Sequence, residues 1–350
     1  MLKVTIAIPV YNVEKYIEAS LLSALNQTYS NIEYVIVDDK GPDNSMDIVR
    51  RIKQTHPRGK DIKIVEHPKN IGTGGARNSS MDNATGDYIF FMDSDDTIEP
   101  DTIKILVDNI PNEGVDVLEA SYRMLTNEGK LVKDVVFGEK YLRGNMAICE
   151  WMRQTKLYYD GFPWNRLISL KFLKANSVRC IPSHRNEDVL FSFQVVLYAK
   201  SYITLPEITY NYFMRPGSTV HQKINEYYYN QYLEIFDART TLIKKIPVTP
   251  PRILYNYYLQ HFFEWWLFQI LGSTFSKEKK KYFYKEIQKI HKLGFGVWDM
   301  IGIRYKLMYL FLFFNDYIPY LYLCKVDKRC NRIYDLLRKY GLCKLPYSHM

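Results

Sequence analysis

Three carboxylates, Asp93, Asp95 and Asp96, crowd the end of the segment Tyr88-Ile89-Phe90-Phe91-Met92-Asp93-Ser94-Asp95-Asp96. Five apolar, mostly aromatic residues lead into them, and a run of that length reads as a buried strand. Clustered acids repel one another unless a cation or a donor-rich ligand offsets their charge, and hard oxygen ligands suit Mg²⁺ or Mn²⁺. In an open α/β sheet, ligands bind at the carboxyl ends of the strands, where these acids fall. The plainer alternative is a solvated acidic turn that caps the following helix, and the rest of the chain has to decide between the two.

Three further groups stand at comparable points. Pro9-Val10-Tyr11-Asn12 ends a first apolar run, Asp38-Asp39 ends a second, and the glycine-rich stretch Gly72-Thr73-Gly74-Gly75 leads to Arg77 and Asn78. The elements that must position them alternate. Val4–Val10, Ile32–Val37, Ile62–Val65 and Tyr88–Met92 read as strands, with helices expected over about Glu14–Leu25, Asp43–Gln54 and Ala76–Ala84. Such alternation implies βαβ crossovers and a mainly parallel sheet covered by helices. Strand ends in that sheet face one crevice, so an aromatic ring, two carboxylate clusters and a guanidinium converge there. The set suits a nucleoside diphosphate: a stacking face, acceptors for base and ribose, and positive charge for the phosphates.

Later elements are less regular. Pro100 starts a helix with Thr97 as its cap, Val115–Ala120, Leu131–Val136 and Ile208–Phe213 read as strands, and Trp164–Ala175 and Glu187–Ala199 read as helices. From about residue 226 the pattern is helical.

The 350-residue chain is long enough for one large domain and an appendage. Its charge is uneven. Residues 1–235 carry 27 Lys and Arg against 30 Asp and Glu, whereas the remaining 115 carry 20 against 8 and hold 26 of the 53 aromatic residues. A basic, aromatic end on a near-neutral body points to an anionic surface. Within 297–350, Arg304 and Lys306 precede the apolar run Leu307–Phe314, and Ile333, Leu336 and Leu337 recur at helical spacing among Lys325, Lys328, Arg329, Arg332, Arg338 and Lys339. A basic amphipathic helix of this kind lies in the interface of an anionic bilayer, or else packs on the body with its cations solvated. The five cysteines show no Cys-x-x-Cys, and Met1 leads directly into a strand. Both features favour reduced thiols and a cytoplasmic location, peripheral on the inner face of the plasma membrane if the tail binds lipid. No apolar run reaches the ~20 residues needed to span a bilayer.

The order and spacing of Thr5-Ile6-Ala7-Ile8-Pro9-Val10-Tyr11-Asn12, Leu25-Asn26-Gln27-Thr28-Tyr29, Ile36-Val37-Asp38-Asp39, Asn70-Ile71-Gly72, Ala76-Arg77-Asn78, Gly86-Asp87-Tyr88 and Phe91-Met92-Asp93-Ser94-Asp95-Asp96 resemble the family 2 glycosyltransferases. The resemblance implies the GT-A fold, Rossmann-like, with residues 1–225 as the catalytic domain and 226–350 as a mainly helical extension. Residues 1–100 would bind the nucleotide-sugar, and 101–225 would supply the acceptor side and the catalytic base. It further implies transfer of a sugar from a nucleotide-sugar, usually a UDP-sugar, with inversion. Pro9 and Tyr11 would flank the base, Asp39 accept from it, Asp93 reach the ribose, Arg77 help hold the nucleotide, and Asp95 hold Mn²⁺ or Mg²⁺ on the diphosphate. Where the family usually reads Gly-Ser-x-Asp after the second acid, this chain has Lys40-Gly41-Pro42-Asp43.

An inverting transfer needs a base to take the acceptor's proton as its oxygen attacks. Asn186-Glu187-Asp188 resembles the family's Glu-Asp motif, which assigns the base to Asp188 and makes Glu187 its neighbour and tuner. By the same resemblance Trp164 stacks on an acceptor sugar, Arg215 pairs with phosphate, and His221 is a further metal ligand. The acceptor would be a glycan or lipid-linked glycan of a bacterial capsule or O-antigen. A sugar nucleotidyltransferase also places acids at strand ends, but it needs a basic glycine-rich loop where this chain has Pro9-Val10-Tyr11-Asn12. A non-catalytic nucleotide-sugar binder is the other alternative. No nucleic-acid module is present, and no nucleic-acid partner is expected.

Overall fold

The computed structural model describes residues 1–155, 159, 161–182, 186–215, 226–246, 254 and 275–290. Two compact units divide the chain, Met1–Trp151 with Tyr159–Gln222, and Met152–Tyr158 with Lys223–Met350. In the first unit the order is β1 (Val4–Val10), α1 (Ile17–Leu25), β2 (Ile32–Asp38), α2 (Ser45–Thr55), β3 (Ile62–Glu66), α3 (Gly72–Asn83), β4 (Tyr88–Phe91), β5 (Thr97–Ile98), α4 (Thr102–Asp108), β6 (Val117–Thr126), β7 (Leu131–Val135), β8 (Lys140–Arg143), α5 (Ala147–Thr155), β9 (Arg166–Ser169), α6 (Leu170–Ala175), α7 (Glu187–Tyr198) and β10 (Ser201–Met214). Helix α5 runs across the division between the units.

One mixed sheet carries the order β3-β2-β1-β4-β9-β6-β10-β5, with β7 beside β6 and β8 beside β10. Its first half is parallel, as the alternating pattern requires: β1 pairs β2 from Val4↔Ile32 to Val10↔Asp38, and β4 from Val4↔Tyr88 to Ala7↔Phe91. All seven residues of β1 are buried, the mark of a strand covered on both faces. Pro9 has no N–H to give, and it lies beyond the last residue of β1 that pairs with β4, where the ladder does not need one. Because β4 stops three residues before β1 does, the acids that follow it open beside the upper end of β1.

Beyond β4 the sheet is less parallel than the sequence pattern implies. Strand β9 runs antiparallel to both β4 and β6, and β5 antiparallel to β10. The expected helix over Trp164–Ala175 is instead β9 followed by α6. Asn165, at φ 58, makes the turn, and its amide donates to the Ala120 and Ser121 carbonyls at 2.7 and 3.1 Å. A left-handed Asn that satisfies strand carbonyls leaves no tolerance for a helix there. Thr97 lies in β5 and does not cap the next helix, whose N-cap is Asp101. Inside the sheet, Arg166 of β9 pairs with Glu119 of β6 at 2.7 Å, and the Tyr202 hydroxyl of β10 donates to the same carboxylate.

In the second unit, α8 (Glu226–Lys245) and α9 (Lys277–Ile290) carry a small aromatic cluster. The Tyr229 ring lies 5.0 Å from both Phe275 and Phe283, and Lys279 pairs with Glu226. Among the described residues, no helix is long and apolar enough to cross a membrane. The amphipathic segment within 297–350 and His221 lie outside the described residues.

The expected glycine turn before α3 is its first turn, with Gly72 at φ 83. A Cβ on Gly74 would collide with the Ile181 carbonyl and come within 2.7 Å of the Glu187 Cβ. That glycine lets α3 approach the start of α7 closely. Gly74→Ala therefore displaces the Glu187–Asp188 turn, and we expect a lowered Tm. A Tm within a degree or so of the wild-type value would contradict this packing.

Candidate active site

Six chain segments meet at the upper edge of the parallel half-sheet. Tyr11, just past β1, is 47% exposed. Asn12 at φ 54 and Lys40 at φ 56 turn the two neighbouring loops. Gly41 fits the second against the first, because a Cβ there would lie 2.8 Å from the Asn12 nitrogen. Asp43 completes the join: its carboxylate accepts from the Glu14 N–H at 2.8 Å and the Ser45 hydroxyl at 2.7 Å. Lys40-Gly41-Pro42-Asp43 thus keeps an acid at its fourth position as a loop fastener, and Lys40 itself pairs with Asp38 at 3.3 Å.

Asp39 is buried and already heavily engaged. One oxygen accepts from the Ile71 N–H at 2.9 Å and meets His67 Nδ1 at 2.8 Å, and the other accepts from the Gly72 N–H at 2.9 Å. It caps α3, satisfying N–H groups that a helix leaves unpaired at its start. A carboxylate offers about four acceptor positions, so a single one on Oδ2 is left for a base. His67 continues the chain of contacts, with Nε2 2.8 Å from the Ser79 hydroxyl. No motif in the sequence singled out His67; it stands one residue after β3.

Arg77 is also buried, and its guanidinium joins two acids. Nη1 donates to Glu187 at 2.5 Å and Nη2 to Asp93 at 2.8 Å. The expectation that Arg77 holds the nucleotide is therefore at odds with its position, since its charge is spent on the two carboxylates. Burial alone would disfavour the cation, but Asp93 and Glu187 outweigh that and hold it firmly protonated. Through this one side chain the end of β4 is tied to the first turn of α7.

The three acids after β4 have different surroundings. Asp93 keeps one oxygen on Arg77, and its backbone N–H donates to the Tyr210 hydroxyl at 3.1 Å. Asp96 is buried, accepting from the Tyr210 hydroxyl at 2.9 Å and the Phe213 N–H at 2.8 Å. Burial first, then the charges of Asp95 and Asp93, push its carboxyl well above the usual range. Asp95 is raised to about 6, chiefly by burial and secondly by Asp93. It lies 3.2 Å from Arg215, whose guanidinium stacks over the Tyr16 ring at 3.4 Å. Among the described residues no three His, Cys, Asp or Glu side chains form a complete metal cage.

Glu187 and Asp188 open α7 but differ in partners. Glu187 is buried against Arg77, whereas among the described residues no ion pair or side-chain hydrogen bond engages the Asp188 carboxylate. Burial, then the Glu187 charge, raises Asp188 to about 7. An unpartnered carboxylate poised near neutrality has the character of a proton acceptor.

Trp164 does not face a ligand. It is 4% exposed, stacked between Phe162 at 5.1 Å and Tyr210 at 4.6 Å, with Tyr122 against its edge. A ring this buried, with Tyr212 also stacked on it at 5.6 Å, is at odds with the expected sugar contact, and Trp164 packs on the Tyr210 ring whose hydroxyl meets Asp93 and Asp96. Pro9 is buried in β1, so Tyr11 is the open member of that pair.

Residues 5–133 match the sequence model of the family described as Glycosyl transferase family 2. The chain is 30% identical over 222 residues to Glycosyltransferase GlyA of Streptococcus pneumoniae serotype 4, covering 62% of this chain and 31% of that protein. It is 24% identical over 253 residues to the Processive diacylglycerol beta-glycosyltransferase of Mycoplasma pneumoniae, covering 69% and 72%. It thus spans less than two thirds of the length of GlyA. Among solved structures, S. aureus TarS 1-349 in complex with UDP-GlcNAc superposes with a TM-score of 0.78 at 20% identity, over 94% of this chain and 92% of that one. The fold is therefore GT-A, and residues 5–133 are similar in sequence to the family 2 glycosyltransferases.

The raised Asp188 has a consequence for stability. Folding holds its proton more tightly than the unfolded chain does, so its favourable contribution is full at low pH and is lost as pH rises through about 7. Asp188→Asn keeps the shape and removes that loss. Its gain in Tm over wild type should be larger at pH 8 than at pH 5.5; equal gains would contradict the burial of this carboxylate.

Proposed function

We propose that this chain, carrying a family 2 glycosyltransferase domain, transfers a sugar from a UDP-sugar to an acceptor hydroxyl with inversion, using Asp188 as the general base. The observation that carries the reading is the Arg77 bridge. It brings the acids that follow β4 and the turn that holds Asp188 to one edge of one sheet. In this reading the exposed Tyr11 ring stacks on the base and the last acceptor position of Asp39 takes a base N–H. The free oxygen of Asp93 takes a ribose hydroxyl. Glu187, paired with Arg77, holds the turn still, while burial first and the Glu187 charge second keep Asp188 high enough to accept a proton near neutral pH. Arg215 offers a guanidinium to the diphosphate.

The acids fit a divalent cation as part of a shared site. Asp95 is strained by its neighbours' charge, its donors are hard oxygens, and diphosphate oxygens supply what two carboxylates cannot. Mn²⁺ or Mg²⁺ held by Asp95, with Asp93 nearby, would offset the charge that develops on the departing diphosphate. His221 remains a proposed further ligand.

For the acceptor we favour a lipid-linked glycan of a bacterial surface polysaccharide. Two things support this: the basic, aromatic composition of 297–350, and a Mycoplasma relative named for a diacylglycerol acceptor. The same features favour a peripheral seat on an anionic, cytoplasmic membrane face. A sugar nucleotidyltransferase fits less well, because the loop after β1 offers Tyr11 and Asn12 and no Lys or Arg.

Two experiments test these statements. In a thermal-shift panel with Mn²⁺, UDP and UDP-sugars should raise Tm above GDP and dTDP counterparts, and Asp188→Asn should keep that shift while losing transfer at least a hundredfold, the low end for general-base loss. No shift with any nucleotide, or unchanged turnover in the variant, would defeat the assignment. Sedimentation with phosphatidylglycerol vesicles should capture the full chain and release it in high salt; equal recovery with neutral vesicles would remove the anionic membrane.

A further inference from the structure

Arg215 is in an unusual position for a surface-loop cation. Its side chain is 9% exposed, with the guanidinium carbon over the Tyr16 ring 3.4 Å from its centre and 5.7 Å from that of Phe213. Nη1 is 3.2 Å from Asp95 Oδ2, yet Nη1 and Nε make no hydrogen bond. The contact is charge proximity without an aligned bond, so most of the donor capacity of this guanidinium is unused. The other acids of the cluster are provided for elsewhere. Asp93 has Arg77, and Asp96 has the Tyr210 hydroxyl and the Phe213 N–H. Among the described residues, Asp95 has only Arg215.

We propose that Arg215 occupies the cation position at Asp95 in the nucleotide-free protein and turns to the diphosphate when nucleotide and metal enter together. Metal and nucleotide then bind as a unit. This rests on the donor-site reading above. A dication on Asp95 and a guanidinium 3.2 Å from the same oxygen repel, so metal alone must displace Arg215 from its only acidic partner. A diphosphate reverses the balance, because it brings oxygens for the metal and a bidentate partner for the fork of Arg215. The Tyr16 ring keeps the guanidinium in plane in either position, since a cation–π contact does not depend on which anion the edge faces. Neither Tyr16 nor this competition is legible in any sequence motif; both depend on where β10 delivers its last residues.

The test is Mn²⁺ affinity read from the electron paramagnetic resonance of free Mn²⁺, with and without UDP, for wild type, Arg215→Met and Arg215→Lys. The Met variant keeps the stem on Tyr16 and removes the charge. Wild type should bind Mn²⁺ weakly alone and about tenfold or more tightly with UDP, within the range usual for coupled sites. Arg215→Met should bind Mn²⁺ about tenfold more tightly than wild type without UDP and gain less from UDP, and Arg215→Lys should fall between. If Arg215→Met, or a folded Arg215→Lys should Met fail to fold, binds Mn²⁺ no more tightly than wild type in the absence of UDP, the competition is refuted. That nucleotide-free arm stands apart from the donor reading. Failure of wild type to bind UDP at any Mn²⁺ concentration would instead overturn the donor reading and the turn of Arg215 toward phosphate.

Discussion

A single buried guanidinium organises this site. Arg77 could not lie in the interior alone, and neither could Glu187; together with Asp93 they form a compensated set that links β4, α3 and α7. Removing one partner of such a set leaves a charge buried without its counterion, a change that costs about 3–5 kcal/mol. The arrangement therefore does more than fill space. It fixes the first turn of α7 against the acids of β4, and Gly74 makes the approach possible by giving up its side chain where α3 meets Ile181 and Glu187.

From that constraint follows a division of labour among acids of the same type. Carboxylates near cations or N–H donors are held for structure: Asp39 on the start of α3, Asp43 on the loop before α1, Glu187 on Arg77. Asp96 is raised too, within its hydrogen bonds to Tyr210 and Phe213; of the acids without such bonds, Asp188 and Asp95 are raised toward neutrality, to about 7 and about 6. Burial is the leading cause in both, and a neighbouring acid adds to it. One is left without an ion pair, the other with a loosely placed Arg215. Groups kept poorly compensated inside a well-compensated frame are where proton transfer and cation binding are expected.

Much of this was legible in the sequence, and the reasons are physical. Largely apolar runs identify β1, β2 and β4, and those of β2 and β4 lead into acids, because strands covered on both faces admit little else. The alternation of period identifies the crossovers. The family resemblance singled out Asp93 and Glu187, which the structure joins through Arg77; the roles it implies for Asp95 and Asp188 stay part of the proposal. The second half of the sheet was harder. Leu167 and Ile168 are too few to distinguish a four-residue strand from a helix turn, and only the left-handed Asn165, bonded to β6, decides it. The choice of side-chain partners was invisible as well. Nothing in the text says that Arg77 would meet Glu187 and not a phosphate, that Trp164 would be sandwiched by Phe162 and Tyr210, or that Tyr16 would lie under Arg215. Residue type told what each group could bind, and only the packing told which partner was near.

The central claim is that one base, Asp188, acts from the side opposite the leaving diphosphate, so the product must have the opposite anomeric configuration to the donor. Proton NMR of the sugar transferred from an α-linked UDP-sugar reads that configuration directly from the anomeric coupling. A β-linked product is the result this account predicts. An α-linked product would contradict it, because retention requires a different geometry of attack from the one that the Arg77 bridge and the unpaired Asp188 support.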